Sequence, residues 1–168
     1  MTAATAYYRI VAEPGIPSVT IEREVAAPRD LVFRCFMEAD LLAQWLGPRK
    51  YEMRVDELDV RHGGAWSYVH IDRDTGAEYA FRGVFHGDPT PDQFVQTFEF
   101  LGAPGHISMD TLQLVDRGDG RTLVRTISLF QSVEARDAML EHGMEYGVRE
   151  GYERLDELVA RVADRGTA

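Results

Sequence analysis

Cysteine and lysine are almost absent from this chain. Cys35 is the single cysteine, so no intrachain disulfide framework can form, and the usage suits a reducing compartment. It falls within an apolar helical pattern and reads as a buried, inert thiol. Lys50 is the single lysine, and no arginine cluster makes up for the shortfall. With 18 basic against 28 acidic side chains the formal net charge is -10, and the pI is near 4.9. That balance argues against nucleic acid or an anionic membrane surface as the main partner. The acidic excess reads as a solvated surface.

Long hydrophobic runs are missing too. No stretch reaches the roughly 20 apolar residues of a membrane span, so no membrane insertion is expected. Met1 to Ile10 lacks a basic region followed by an apolar core, which makes the cytoplasm the expected compartment. There is no Gly-x-Ser-x-Gly elbow, no phosphate-cradling loop and no dinucleotide fingerprint. The 5 histidines show no spacing typical of a metal site. No metal, no cofactor and no catalytic constellation is therefore expected, and enzymatic activity stays an open question. Neither an internal repeat nor a low-complexity tract is present.

What the chain does have is turn chemistry at regular intervals. Its 168 residues, 45% of them hydrophobic, suit one domain that buries about 70% of its unfolded surface. Residues 1–17 read as an N-terminal arm, in which Tyr7 to Val11 could form an edge strand before Pro14, Gly15 and Pro17. The domain is expected over 18–163, and 164–168 as a tail. Ser18 to Val25 alternates as a strand, with Arg23 on the apolar face, where it needs a wet end or a polar partner. Ala27-Pro28 opens a helix with the buried stripe Leu31, Val32, Cys35 and Phe36. A second short helix, Asp40 to Trp45, is stopped by Gly47-Pro48.

Six strands follow as a meander, each break marked by glycine, proline or aspartate. They are Tyr51 to Leu58, Ala65 to Ile71, Tyr79 to His86, Phe94 to Leu101, Ile107 to Val115 and Thr122 to Phe130. This order specifies an α+β fold. A curved antiparallel sheet of about seven strands wraps around a long C-terminal helix, with two short helices after the first strand. The carboxylates Asp56, Glu57 and Asp59 read as a solvated edge.

The C-terminal helix is expected over Ser132 to about Ala163, with Ser132 as N-cap, Glu134 in the first turn and Gly166 just past the end. Leu140, Met144, Val148, Tyr152, Leu155, Val159 and Val162 share one arc. Along its edge runs a row of glycines, Gly143, Gly147 and Gly151, each costing a helix about 1 kcal/mol relative to alanine. Close backbone packing would explain the row; so would room for a ligand beneath the helix. Aromatic residues crowd the strands that face it. Trp66, Tyr68 and His70 alternate onto one face, as do Tyr79, Phe81 and Phe85, then Phe94, Phe98 and Phe100. Trp45 closes the second short helix. Together they describe either a plain aromatic core or an apolar pocket.

Several motifs in this order resemble the START-like (SRPBCC) superfamily. They are Arg23-Glu24-Val25-Ala26-Ala27-Pro28, Val32-Phe33, Gln44-Trp45-Leu46-Gly47-Pro48, Gly63-Gly64 and Gly83. The end of the chain, Ala138-Met139-Leu140 through Gly143-Met144, Gly147 and Gly151-Tyr152-Glu153-Arg154-Leu155, is similar to the AHSA-type branch, homologues of the heat-shock chaperone ATPase activator. The resemblance spans Ser18 to Val162. It implies a helix-grip fold with a deep hydrophobic pocket between helix and sheet. It also implies a choice among lipid and polyketide binders, aromatases and cyclases, and chaperone partners. The expected function is binding of a small hydrophobic or aromatic molecule by a monomer or homodimer. From the sheet, Trp45, Trp66, Tyr68, Phe81, Phe98 and Phe100 are expected to line the pocket. From the helix, Met144, Gly147, Val148, Gly151 and Tyr152 complete it, and His70 or Arg82 orients a polar end. The alternatives are a protein-interaction module and a cyclase-type enzyme using a histidine or tyrosine as acid or base.

Overall fold

The structure is a computed structural model that describes residues 6–166. Residues 1–5 of the expected arm and 167–168 of the expected tail lie outside the described residues. Within the arm, Tyr8–Val11 forms strand β1, and Ser18–Val25 forms β2. The alternation of β2 is strict: Val19, Ile21, Arg23 and Val25 are buried and their neighbours are not. Helices α1, Arg29–Met37, and α2, Ala39–Leu42, follow. The meander comprises β3 (Tyr51–Leu58), β4 (Ala65–Asp72), β5 (Glu78–His86), β6 (Gln93–Phe100), β7 (Ile107–Gly118) and β8 (Arg121–Leu129). One antiparallel sheet of 8 strands results, in the order β1-β2-β8-β7-β6-β5-β4-β3. The arm supplies the additional strand, Ile10 pairing with Ile21.

Strand order decides where the short helices lie. Because β2 pairs with β8 while β3 is the opposite edge, α1 and α2 must carry the chain across the sheet. They roof one end of its inner face. Trp45 anchors this crossing: its indole N–H donates to the Cys35 carbonyl at 2.9 Å, and its ring meets Phe36 edge-on at 4.9 Å. Cys35 is fully buried, and desolvation pushes its thiol up to about 11, so it stays protonated.

The C-terminal segment departs from the single helix expected over Ser132 to Ala163. It is two helices, α3 (Val133–Glu141) and α4 (Met144–Arg165), broken at Gly143, where φ is 81°. A left-handed residue cannot continue a right-handed helix, and glycine adopts that conformation without a Cβ penalty. Gly143 is therefore a hinge between helices and not part of a packing row. Ser132 does cap α3, its hydroxyl accepting from the Ala135 N–H at 3.1 Å.

Helix α4 buries Gly151, Tyr152, Leu155, Leu158 and Val159, and packs against β2, α1 and α3. Arg23 finds its polar partner there: its guanidinium lies 2.6 Å from the Asp156 carboxylate and 5.7 Å from the centre of the Tyr152 ring. Leaning to one side of the sheet, α4 leaves the inner face of β4 and β5 without a helix pressed against it, while α1 packs on β7 and sets Phe33 and Phe36 against Phe94 of β6.

Candidate functional site

That uncovered inner face borders a cavity of about 400 Å³. The pleat explains its first wall. On β4, Trp66, Tyr68 and His70 point inward, and each is paired in register with a β5 residue: Trp66 with Gly83, Tyr68 with Phe81, and His70 with Tyr79. Trp66 and Tyr68 stack at 5.4 Å, Tyr68 and Phe81 at 5.1 Å, and Phe98 of β6 lies 5.8 Å from Trp66. The sheet can carry an indole here because Gly83 has no side chain. A Cβ at Gly83 would sit 1.9 Å from the Thr97 carbonyl oxygen and 2.5 Å from the Trp66 ring.

The helical roof comes from α4 and the segment after α2. Met144, Gly147, Val148, Gly151 and Tyr152 all border the cavity, as does Trp45. The glycines also answer to packing. A Cβ on Gly147 would lie 3.3 Å from Pro48 Cγ, and one on Gly151 3.3 Å from the Gly47 nitrogen. Both positions let α4 approach the Trp45–Pro48 backbone, so close packing and space for the cavity are the same geometry.

Two expected residues lie elsewhere. Arg82 follows Phe81 in an extended strand and therefore points to the opposite face. Its side chain is 61% exposed and pairs with Glu99 at 3.1 Å, so it cannot orient anything in the cavity. Phe100 shares the inner face but lies beyond the cavity, tilted against Phe81 at 5.0 Å. His70 does border the cavity. Its ring lies flat against Tyr51 at 5.4 Å and so close under Gly47 that a Cβ there would fall 2.6 Å from its Cε1. Burial lowers its pKa to about 4, partly offset by the Leu46 backbone, so the imidazole is neutral at pH 7. Its Nε2 and the Trp66 Nε1 are buried without a hydrogen-bond partner.

The second wall was not anticipated. On β7, Ser108, Asp110 and Leu112 are buried in alternation. Ser108 and Asp110 border the cavity together with Gln96 of β6 and with Thr126 and Ser128 of β8. Register places Gln96 and Ser128 directly opposite Asp110 on either side. The Ser108 hydroxyl donates to the Asp110 carboxylate at 3.2 Å. Desolvation raises the Asp110 carboxyl to about 6, against smaller opposing effects of the Ser128 and Ser108 hydroxyls. The signal is in the alternation: Asp110 is in phase with Leu112 and Leu114, a charged residue on an apolar face, as Arg23 is in β2. Burial similarly pushes the Tyr152 hydroxyl up to about 12 and raises that of Tyr68, so both remain protonated donors. Among the described residues, no group of three or more histidine, cysteine or acidic side chains could hold a metal. No described helix is long and apolar enough to cross a membrane.

Residues 26–160 match the family described as Activator of Hsp90 ATPase homolog 1-like protein. The chain belongs to this family. The assignment places it in the AHSA-type branch of the START-like superfamily. Solved structures of the same fold agree. A Rhodobacter sphaeroides protein superposes with a TM-score of 0.82 at 23% identity, covering 92% of this chain and 99% of that one. An Arthrobacter aurescens protein gives 0.82 at 25% identity, over 91% of each chain. The AHSA1-like protein of Aeromonas hydrophila gives 0.67 at 16% identity, over 83% of this chain and 92% of that one. No curated protein matches the sequence.

Proposed function

We propose that this member of the family takes up a small hydrophobic molecule with an aromatic or lipid-like body between α3–α4 and the inner face of the sheet. The observation that carries this reading is the cavity of about 400 Å³, with aromatic side chains on three adjacent strands and two buried, unpartnered polar atoms on Trp66 and His70. The volume falls within the usual range of ligand pockets. At ~24 cal/mol per Å³ a dry void of that size would cost roughly 10 kcal/mol, comparable with the whole net stability of a domain. A ligand with an apolar body would relieve that cost along the aromatic wall, which offers water few polar partners.

Native mass spectrometry of the protein as purified is expected to show an added small-molecule mass or, after stripping, 1:1 uptake of 2-(1-naphthyl)ethanol. Val148→Trp fills the cavity from α4 and should abolish that uptake while the unfolding temperature holds. Undiminished uptake by a folded Val148→Trp protein would remove the cavity as the site.

A second reading, a protein-interaction module, draws on the chaperone-activator name of the family and on the outer face of the sheet. There Met109 and Leu129 are directly paired across β7 and β8, and both are more than 40% exposed. Replacing both by glutamate should then abolish partner capture without altering small-molecule uptake.

A further inference from the structure

The charge on the cavity wall has one sign. Asp110 and Glu57 border it and no arginine or lysine does, while burial holds His70 neutral. Glu57 stands at the exposed rim, but Asp110 is 9% exposed. Its partners among the described residues are the hydroxyls of Ser108 and Ser128. Two hydroxyls satisfy part of a carboxylate's roughly four acceptor sites and bring no positive charge. Burying a carboxylate without a cationic partner is unfavourable, and the raised Asp110 carboxyl reflects that cost.

The surroundings show what would complete the site. Gln96 flanks Asp110 from β6 and offers an amide oxygen as a further acceptor. Phe98 lies opposite Ser108, one row along, and leads into the Trp66 and Tyr68 rings. Aromatic faces stabilise an ammonium group when it lies within about 6 Å of a ring centre. Trp66 and His70, 5% and 7% exposed, add the unpartnered Nε1 and Nε2 to the same cavity.

Building on the cavity reading above, we propose that the ligand is an organic cation, an amine on an aromatic or aliphatic body. Its ammonium group sits on Asp110 between Gln96 and Ser128, and its apolar part lies among the rings of β4 to β6. The same wall selects against fatty acids and other anionic amphiphiles, whose carboxylate would meet Asp110 with no basic side chain to relieve it.

Three probes with one naphthalene body separate this inference from the reading it rests on. They are 2-(1-naphthyl)ethylamine, 2-(1-naphthyl)ethanol and 1-naphthylacetate, titrated at pH 8 by calorimetry. At that pH Asp110 is ionised and the amine, like lysine with its pKa of about 10.4, is protonated. The amine should bind roughly tenfold or more tightly than the alcohol, and the acetate should bind weakest. Asp110→Asn, checked for folding by thermal unfolding, should remove the amine's advantage over the alcohol on the same variant. The ranking on the wild-type chain stands whether or not the variant folds. If the alcohol binds and the amine shows no advantage, or the acetate binds best, charge selection is overturned while the cavity reading survives. If none of the three binds, both are overturned.

Discussion

The two walls of the cavity are built on the same sheet and behave differently. The β4–β6 wall is a ladder of aromatic rings that stack on one another, with Trp66, Tyr68, Phe81 and Phe98 between 5.1 and 5.8 Å apart. The β7–β8 wall carries Ser108, Asp110, Thr126 and Ser128, side chains that a plain core would replace with leucine or valine. The first wall is held chiefly by ring packing. The second holds a buried carboxyl displaced to about 6, a cost to folding that a bound partner could offset. Packing accounts for most of the first wall, apart from the unpartnered Trp66 and His70 nitrogens, and does not account for the second, where the proposed ligand's polar group would sit.

The largest expected effect breaks the aromatic wall. Gly83→Val would drive side-chain atoms into the Thr97 carbonyl and the Trp66 ring. Overpacking against backbone costs at least the ~1–3 kcal/mol typical of cores. The expected outcome is a protein that fails to fold cooperatively at 37 °C, read by thermal unfolding. A stable, cooperative Gly83→Val protein would mean that the ladder is looser than described.

The next effect sets the walls against each other through pH. Asp110 is raised from 3.8 to about 6, so the folded state holds a proton that the unfolded chain has released, and stability falls as pH rises from about 4 to 6. His70 is lowered from 6.5 to about 4, so the unfolded chain binds the proton first, and stability falls as pH drops from about 6.5 to 4. At 1.36 kcal/mol per pH unit each amounts to roughly 3 kcal/mol, and the two slopes oppose. Asp110→Asn should therefore make stability climb with pH across this window, and His70→Gln should make it decline. Urea unfolding of the two variants at pH 4.5 and 6.5 reads the difference directly, and parallel slopes would contradict both assignments.

Smaller effects sharpen the outline of the site. Gly143→Ala strains a left-handed hinge with no neighbour within 4 Å, so it should cost about 1–2 kcal/mol and leave the walls intact. Arg82→Ala removes an ion pair on the outer face whose arginine is exposed and whose Glu99 partner is buried but keeps the Gly105 N–H. It should lower stability only modestly and should not alter ligand uptake.

Much of the fold was legible because period-2 alternation and turn residues act locally. β2 and β3 have the boundaries that alternation indicates, and the helix-grip architecture follows from element order. The break at Gly143 was hidden because a glycine reads the same in a helix interior and at a left-handed hinge; only φ separates them. Arg82 was assigned to the cavity beside Phe81 although adjacent strand residues face opposite ways. Asp110 is hard to place from the sequence because polarity normally marks the solvent face. Its phase with Leu112 and Leu114 places it inside, and what that phase cannot show is whether an inward carboxylate meets a partner or open space. That depends on α4 leaning towards β2, a tertiary fact with no local signature.

The space between the two walls is the proposed binding site. Amide chemical-shift changes in isotope-labelled protein, recorded while 2-(1-naphthyl)ethanol is added, test it most directly. The predicted result is saturable shifts at Gln96, Phe98, Asp110, Ser128, Gly147 and Val148, with Arg82, Met109 and Leu129 unmoved. Shifts confined to the outer face, or none that saturate, would contradict it.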